Sequence, residues 1–351
     1  MNNKKDWDAY VAHELEHATP LLAELGFSLN KDQPHLGGER YLMQAITSTS
    51  GPKLILIGKR DRDNLQVVIK ITTDASGTKE IEHERRCRAT LNEIEFAYER
   101  FYAPEEVAFT ETRGVTVSIQ EYIEQESTFL ERPIEKQFDL ALTGLKIQES
   151  AHATTYGHLK RISTVFPRWN AQTYLNAART LDASETTLKI LTEGAQRIEQ
   201  YTDFLTHSDY VPHNIRVRDH TLYLLDHSSI RFGNKHEGWA RFINFMVLYN
   251  PPLAKALQQY VKDNRAPEES ESLRLMRIFR LIEIIAYYRG TLVRSEGDLH
   301  TLNTTRVTFW NAVLESVLKN TTLDSSVRDE YIRTRDSLRS ADEKKRQTNL
   351  H

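Results

Sequence analysis

The first third of the chain shows a helical pattern of apolar positions that gives way to strand-like patterns. Over residues 6–25 the apolar side chains lie at helical spacing, and Gly26 marks the end of that helix. Three strand-like runs follow within residues 41–73, separated by turn-prone stretches: YLMQAITS, KLILIGK and LQVVIKIT. A charged helix is expected over residues 79–96, followed by two more strands, EVAFTE and VTVSIQEY. The pattern predicts a small layer of five strands with one helix after the third.

Helical periodicity dominates the chain from residue 138 onward, with one interruption. Within residues 206–228 two short apolar runs, NIRV and TLYLL, flank a polar turn, which indicates a hairpin inside a helical domain. A boundary near Tyr122–Ser127 divides the chain into an N-terminal unit (1–123), a helical unit (124–340) and a polar tail (341–351) that is expected to be disordered. The predicted fold class is therefore α+β, with a small antiparallel five-stranded lobe and a larger, mostly helical lobe.

Composition and charge exclude several classes of protein. Of the 351 residues 27% are charged and 39% hydrophobic, which is typical of a soluble globular chain. A net charge of -3 gives no strong field for nucleic acid, and no apolar run approaches the ~20 residues that span a bilayer. The single cysteine, Cys87, excludes an internal disulfide framework, and the first ten residues lack an apolar signal core. We therefore expect a cytoplasmic protein without nucleic-acid or membrane partners.

The segment with the clearest chemical meaning is HSDYVPHN, from His207 to Asn214. An aspartate followed five positions later by an asparagine matches the catalytic loop of kinases. In that loop the aspartate orients the attacking hydroxyl, and the asparagine reaches a metal ion on the nucleotide. Asp226 follows the run TLYLL, at a strand end where a carboxylate can coordinate the magnesium that bridges the phosphates. The order of loop, hairpin and aspartate predicts phosphoryl transfer better than it fits a polar turn beside an unrelated aspartate.

The same segment resembles the signature of the aminoglycoside phosphotransferase and choline kinase superfamily, whose members read H-G-D-L-H-P-G-N-I, then an apolar strand, then I-D-[FW]. The resemblance implies a bilobal protein kinase-like fold, ATP and Mg2+ as cofactors, and transfer of the γ-phosphate to a hydroxyl of a small molecule. It assigns Asp209 as the catalytic base and Asn214 and Asp226 as metal ligands. The chain departs from the family pattern at Ser208, Tyr210, His213 and His227. The family's aspartate in the next helix (D-x-A) is also missing from GWARFIN, which leaves open what supports the catalytic loop.

The N-terminal unit resembles the same superfamily in its nucleotide-binding strand and helix. VVIK, which ends at Lys70, resembles the strand that presents a lysine to the α- and β-phosphates. That lysine needs a carboxylate to hold it in place. Glu84 lies where the family's helix glutamate lies, and Glu82 is the alternative.

Two further segments complete the expected nucleotide site. STSGPK resembles the loop that covers the nucleotide, so Ser50 and Gly51 are assigned to phosphate binding, although an ordinary hairpin turn explains the segment equally well. QEYI resembles the M-E-Y-I hinge whose backbone binds adenine, which assigns Glu121 and Ile123 to the nucleotide.

A literal H-E-x-x-H, formed by His13, Glu14 and His17 on the first predicted helix, supports a rival hypothesis. Two histidines at i and i+4 can bind zinc, with the glutamate as the base of a metalloprotease. Glu16, however, places a charge where zinc proteases of this kind carry an apolar residue. A solvated helix face is the preferred interpretation.

Two kinase-like alternatives are also weighed. A nucleotide-binding relative without catalysis is disfavoured because the expected lysine, glutamate, two aspartates and asparagine are all present. A protein kinase is disfavoured because Val211 stands where a lysine is usual and no A-P-E segment follows Asp226.

The acceptor stays open at this stage among aminoglycoside-, amino-alcohol- and sugar-like molecules. Acidic residues that could attract a cationic amine follow the hinge and recur further along the chain, although acidic loops are usually just solvated: Glu124, Glu126, Glu268, Glu269 and Glu271. Four aromatic residues could box a quaternary ammonium group, although their helical spacing favours core positions: Trp239, Trp310, Tyr287 and Tyr288.

Overall fold

The computed structural model describes residues 4–34, 36, 51–96, 100–156 and 164–339. The N-terminal lobe contains α1 (Lys4–Glu24), β1 (Phe27–Leu29), β2 (Leu54–Arg60), β3 (Gln66–Thr72), α2 (Ala75–Asn92), β4 (Glu106–Thr112) and β5 (Val115–Glu121). The five strands form one antiparallel sheet in the order β1-β2-β3-β5-β4. The predicted small lobe is confirmed.

The edge strand β1 differs from the expected first strand. The segment YLMQAITS lies outside the described residues, and the three residues Phe27–Leu29 pair with β2 instead. Such a short strand directly after a helix gives too little alternation to be found from sequence. Helix α1 packs against the sheet through Trp7, Leu21 and Leu22, which are buried with the strand side chains in a core of their own.

Helix α2 begins four residues earlier than predicted, because Asp74 caps it. The Asp74 carboxylate accepts hydrogen bonds from the backbone N–H groups of Ser76 and Gly77, at 2.8 and 3.0 Å. Such a cap satisfies backbone donors that have no partner in the first turn of a helix. The cap fixes the point at which α2 leaves β3, and with it the position of the glutamates on the helix.

The C-terminal lobe is mostly helical, as predicted. Its helices are α3 (Ile134–Tyr156), α4 (Ala171–Thr180), α5 (Glu185–Glu193), α6 (Ala195–Gln200), α7 (Glu237–Tyr249), α8 (Pro251–Asn264), α9 (Pro267–Leu292), α10 (Gly297–Leu318) and α11 (Ser325–Leu338). Helices α7, α9 and α10 enclose a second, larger core. Among the described residues no helix is both long and apolar enough to cross a bilayer.

Two small ribbons interrupt this helical lobe where the sequence predicted a hairpin. Strands β7 (Ile215–Arg218) and β8 (Thr221–Leu224) form the hairpin. Strand β6 (Phe204–His207) pairs with β9 (Ile230–Gly233). The segments that leave β6 and β8 carry the residues to which catalytic chemistry was assigned.

Candidate active site

Lys70 and Glu84 form a direct ion pair between β3 and α2. The Lys70 Nζ donates to both carboxylate oxygens of Glu84, at 2.5 Å each. Glu84 is 2% exposed. Burial alone would raise its pKa, but the charges of Lys70 and Lys53 lower the pKa of Glu84 to about 2. Glu84 rather than Glu82 is therefore the partner, and the buried ionised pair fixes the lysine where the resemblance places the phosphates.

A second lysine, which the sequence did not single out, belongs to the same cluster. Lys53 forms an ion pair with Glu80, one turn before Glu84 on α2. Burial opposes the charge of Lys53, but the carboxylates of Glu84, Glu80 and Asp226 raise its pKa. The structure thus connects Asp226 in the C-terminal lobe electrostatically to the lysine cluster of the N-terminal lobe.

Ser50 lies outside the described residues, and Gly51 takes a position that differs from an open phosphate loop. A Cβ placed on Gly51 would lie 1.9 Å from the backbone nitrogen of Gly77 and 2.1 Å from the carbonyl carbon of Ser76. Gly51 is thus held against the N-terminus of α2, and only a glycine allows this contact. Its assignment to phosphate binding stays a prediction.

The catalytic-loop segment is tied to the segment that contains Asp226. The His207 imidazole Nε2 lies 3.0 Å from the carbonyl oxygens of both Leu225 and Asp226. The backbone N–H and the hydroxyl of Ser208 both donate to the carbonyl of Ser229, at 2.9 Å. These bonds hold the two segments in one rigid unit.

Asp209 lies in this unit, and each of its two carboxylate oxygens accepts from a different side chain. Its Oδ2 accepts from the amide nitrogen of Asn214 at 2.9 Å, and its Oδ1 accepts from Arg241 Nε and Nη2 at 3.1 and 3.0 Å. Burial would raise the pKa of Asp209, but Arg241 first and then His213 hold it well below the usual range. The carboxylate therefore stays ionised, which suits an acceptor for the hydrogen bond of an attacking hydroxyl.

Asn214 and Asp226 have the donor atoms that a magnesium ion requires. The Asn214 amide nitrogen donates to the carbonyl and carboxylate of Asp209, at 2.9 Å each, so its amide oxygen points elsewhere. Asp226 adopts a left-handed backbone (φ 56°), and its two oxygens accept from the hydroxyls of Ser228 and Ser229 at 2.7 Å. Within the described residues no group of three or more His, Cys, Asp or Glu side chains could hold a metal ion. Carboxylate and amide oxygens such as those of Asp226 and Asn214 are the ligand type that Mg2+ takes from proteins, beside phosphates and water.

The hinge residue Glu121 ends β5 and forms an ion pair with Arg218 on the β7–β8 hairpin. The Arg218 guanidinium also donates to the Tyr223 hydroxyl at 2.5 Å. Ile123, two residues later, is buried. The pair joins the hinge to the C-terminal lobe, and the adenine-binding role of both hinge residues stays a prediction.

Helix α7 supports the catalytic loop where the family's D-x-A aspartate is missing. Gly238 occupies that place, and a Cβ there would lie 2.9 Å from the carbonyl oxygen of His207. One residue earlier, the fully buried Glu237 accepts from the Tyr174 hydroxyl at 2.8 Å and pairs with Arg231 and Arg280. Direct backbone contact and a buried ion network anchor the helix.

The glutamate of the H-E-x-x-H motif lies on a different face of α1 from the two histidines. His13 and His17 share the exposed face of α1, with their ring centres 4.4 Å apart and the His17 Nδ1 2.8 Å from the His13 carbonyl oxygen. Glu14 is fully buried and accepts from the backbone and hydroxyl of Thr73, at 3.2 and 2.7 Å. The glutamate thus packs into the N-terminal lobe, so it is not placed as a base beside a metal ion that the two exposed histidines would bind.

Comparison with solved structures identifies the fold. The chain resembles a macrolide 2'-phosphotransferase type I with a TM-score of 0.56, at 16% identity over 83% of this chain and 96% of that chain. It resembles the apo form of a thermostable mutant of aminoglycoside phosphotransferase APH(4)-Ia with a TM-score of 0.50, at 11% identity over 80% of this chain and 98% of that chain. A Plasmodium vivax ethanolamine kinase gives a TM-score of 0.50, at 13% identity over 83% of this chain and 84% of that chain.

No family model matches the sequence, and a search of curated proteins finds no match. At these identities the structural likeness shows the fold alone. The bilobal kinase-like fold that the sequence resemblance implied is confirmed.

Proposed function

We propose that the protein is an ATP- and Mg2+-dependent phosphotransferase that transfers the γ-phosphate to a hydroxyl of a small molecule. The observation that carries the proposal is the buried Lys70–Glu84 pair. A buried ion pair stabilises a fold little compared with apolar side chains of similar volume, so its presence at this position favours a functional role. Lys70 would contact the α- and β-phosphates, as the resemblance implies.

The proposal gives separate roles in the reaction to Asn214, Asp226 and Asp209. Asn214 and Asp226 would hold Mg2+, which neutralises the charge that develops on the phosphates. Asp209 would accept the hydrogen bond of the acceptor hydroxyl and direct its oxygen at the phosphorus. Since Arg241 keeps the Asp209 carboxylate a weak base, positioning rather than early proton removal is its main contribution, as fits a loose transition state.

Nucleotide binding is tested by the melting temperature with and without millimolar MgATP. A ligand that binds only the folded protein raises this temperature. Lys70→Met should reduce the shift, whereas Lys189→Met, on the exposed surface of α5, should not. The absence of a shift in the unmodified protein would overturn the proposal.

Catalysis is tested separately by ADP release with a panel of alcohols. Turnover of MgATP that depends on the added alcohol supports phosphotransfer. Binding of MgATP with no turnover on any alcohol or on water would favour the nucleotide-binding relative without catalysis.

A further inference from the structure

A cavity of about 60 Å³ lies between the end of α2, helix α3 and the strands β6, β8 and β9. Its wall includes His207, the first residue of the predicted catalytic loop, and His227, which directly follows Asp226. Among the described residues that form this wall, neither Asp209 nor Asp226 is present. The cavity therefore borders the proposed reaction site but is separate from it.

Three polar side chains in the wall of this cavity are almost completely buried. Gln148, Thr206 and His207 are 5%, 3% and 4% exposed. Within the part of the chain that the structure describes, four of their atoms have no hydrogen-bond partner: both amide atoms of Gln148, the hydroxyl of Thr206 and the Nδ1 of His207. Buried polar groups are nearly always hydrogen-bonded, because an unmade bond in the interior is unfavourable. Three such side chains around one cavity indicate an occupant that bonds to them.

The unpartnered atoms require an occupant that both donates and accepts. The Nε2 of His207 lies 3.0 Å from the carbonyl oxygens of Leu225 and Asp226, which only accept, so Nε2 carries the hydrogen. In the neutral ring, Nδ1 is then an acceptor that needs a donor. Gln148 offers a donor and an acceptor side by side, and the Thr206 hydroxyl can act as either. A carboxamide, whose N–H and C=O groups are adjacent, complements this set.

The rest of the wall is apolar, and one end of it is closer to solvent. Buried apolar side chains surround the polar groups: Leu205, Leu224 and Ile230. At the other end Asn92 is exposed, and Phe96 and Phe101 are half-buried. Water alone would satisfy the polar atoms but would leave this apolar surface wet. A carboxamide attached to an apolar body would cover both.

The polar end of the cavity disfavours a charged ligand. Of the described residues in the wall, none is a carboxylate. The guanidinium in the wall is that of Arg100, and it lies 5.4 Å from the ring centre of the exposed Tyr102, which places it toward solvent. A charged group beside Gln148 and Thr206 would therefore be buried without an opposite charge, which is strongly unfavourable.

We propose that this cavity is a second ligand site, which binds a neutral carboxamide attached to a small aromatic or apolar body. The carboxamide lies among Gln148, Thr206 and His207, and the body lies toward solvent beside Phe96 and Phe101. About two water molecules would fill 60 Å³ at liquid density, so the enclosed part admits the carboxamide rather than the whole ligand. The inference goes beyond the proposed function, since this ligand is not the phosphate acceptor.

A ligand in this cavity would act on the reaction through two elements. It would contact the end of α2, the helix on which Glu84 pairs with Lys70, and the ring of His207, whose Nε2 contacts the Asp226 carbonyl. By joining them it would favour the arrangement in which the ion pair and the catalytic loop are assembled. Binding of the ligand and of MgATP should then strengthen each other, because coupling between two sites is reciprocal. This consequence rests on the proposed function.

The first experiment measures binding without nucleotide and therefore does not depend on the proposed function. Benzamide, acetophenone and benzoate share a ring and a carbonyl oxygen, and they are titrated by ligand-observed NMR. We expect benzamide to bind at least ~10-fold more tightly than the other two, since acetophenone provides no donor and benzoate buries a charge. Equal binding of acetophenone or benzoate, or no saturable binding of benzamide, would refute the inference and leave water as the occupant.

Two substitutions remove the polar anchors while keeping a side chain of similar size. Gln148→Leu and Thr206→Val should each weaken benzamide binding by about 10-fold or more, and either one serves if the other does not fold. Their melting temperatures should stay equal or rise, because each removes buried polar atoms that lack partners. This outcome distinguishes a lost ligand contact from a damaged fold.

The matched control for these variants is Gln259→Leu, on the exposed face of α8. It makes the same chemical change away from the cavity and should bind benzamide normally. Unchanged benzamide binding in both Gln148→Leu and Thr206→Val would mean that the probe binds elsewhere, and the inference would be wrong.

The second experiment measures the coupling to the nucleotide. MgATP is titrated with and without saturating benzamide. We expect benzamide to tighten MgATP binding by about 5-fold or more, the lower end of typical coupling between sites, and Gln148→Leu to abolish this effect. An unchanged MgATP affinity would contradict the effect on the reaction while the ligand site stands. A protein that binds benzamide but never MgATP would instead overturn the proposed function.

Discussion

The carboxylate of Asp209 is shared between Asn214, which the sequence pointed out, and Arg241, which it did not. Asp209 and Asn214 are five positions apart in one loop, so a local pattern reveals them. Arg241 lies on another element and becomes a partner only when α7 packs on the loop. Lys53 was missed for the same reason, since its ion-pair partner Glu80 lies on another element, α2.

Replacing Asp209 or Asp226 with asparagine should affect MgATP binding and turnover differently. Asp226→Asn is expected to weaken MgATP binding and turnover together, because this carboxylate is proposed to hold the metal on the phosphates. Asp209→Asn should keep MgATP binding near normal while turnover falls by ~10²-fold or more, the scale expected when the attacking hydroxyl is no longer held in position. Titration of MgATP and ADP release on an identified acceptor measure both. Full turnover in Asp209→Asn would mean that the catalytic loop is wrongly assigned.

His227, which directly follows Asp226, should make stability depend on pH. It is 3% exposed, and burial lowers its pKa to about 3. Between that value and the ordinary value near 6.5 the unfolded chain binds more protons, so stability falls as the pH is lowered through this window. The same direction holds for His152, whose pKa burial also lowers to about 3.

His227→Phe should therefore flatten part of this dependence between pH 6.5 and pH 4.5, a range above the titration of Glu84. The slope of unfolding free energy against pH should decrease by up to about 1.4 kcal/mol per unit, the value for one proton. Urea unfolding at several pH values measures it. His300→Gln, at an exposed position on α10, is the control and should leave the slope unchanged.

At the scale of elements, the contact of α7 with the predicted catalytic loop depends on Gly238, because glycine has no side chain. Gly238→Ala would place a Cβ 2.9 Å from the His207 carbonyl and 3.2 Å from Tyr210. Backbone must then move, at a cost of about 1–3 kcal/mol in stability. We expect turnover to fall as the loop shifts, with MgATP binding less affected.

Gly290 is the matched control for this substitution. It also lies in a helix, α9, and a Cβ there meets no atom within 4 Å. Gly290→Ala should be neutral or stabilise by up to about 1 kcal/mol, because alanine is the better helix former. Equal effects of the two alanines on turnover would show that close packing of α7 does not control the loop.

Helices and strands were predictable where their pattern of apolar positions is long. They were less predictable where tertiary contacts or a single capping side chain determine where an element begins or how it is oriented. The alternation in LILIGKR and QVVIKIT identifies β2 and β3, which the sheet buries on one face each. The start of α2 was placed too late, because the cap at Asp74 depends on a single side chain before a polar first turn. The orientation of Glu14 could not be foreseen either, since it depends on how α1 lies on the sheet.

At the scale of the whole molecule, two separate hydrophobic cores flank the site. The sheet and α1 enclose one, and the C-terminal helices enclose the other. A third and smaller cluster joins α2 to the β6–β9 ribbon through Cys87, Leu205 and Phe232. The helix that carries Glu84 is therefore in contact with both the N-terminal sheet and the ribbon that leads into the catalytic loop.

This third cluster contains the protein's single cysteine, three residues after Glu84 on α2. Cys87 is fully buried, so a reagent in solution cannot reach its thiol. Burial also raises its pKa to about 12, so little of the reactive thiolate forms at neutral pH. Modification requires α2 to separate from the ribbon. The rate at which the Cys87 thiol reacts therefore measures how often α2 separates from the ribbon, and no cysteine has to be introduced.

Labelling by a chromogenic disulfide at neutral pH should be slow in the folded protein. MgATP should slow it further if the nucleotide holds Lys70 and Glu84 together, and Lys70→Met should accelerate it by releasing the glutamate. Equal rates with and without saturating MgATP would show that nucleotide binding and the closure of α2 are uncoupled. If MgATP does change the rate, the labelling of Cys87 reports how often α2 separates from the β6–β9 ribbon in each state.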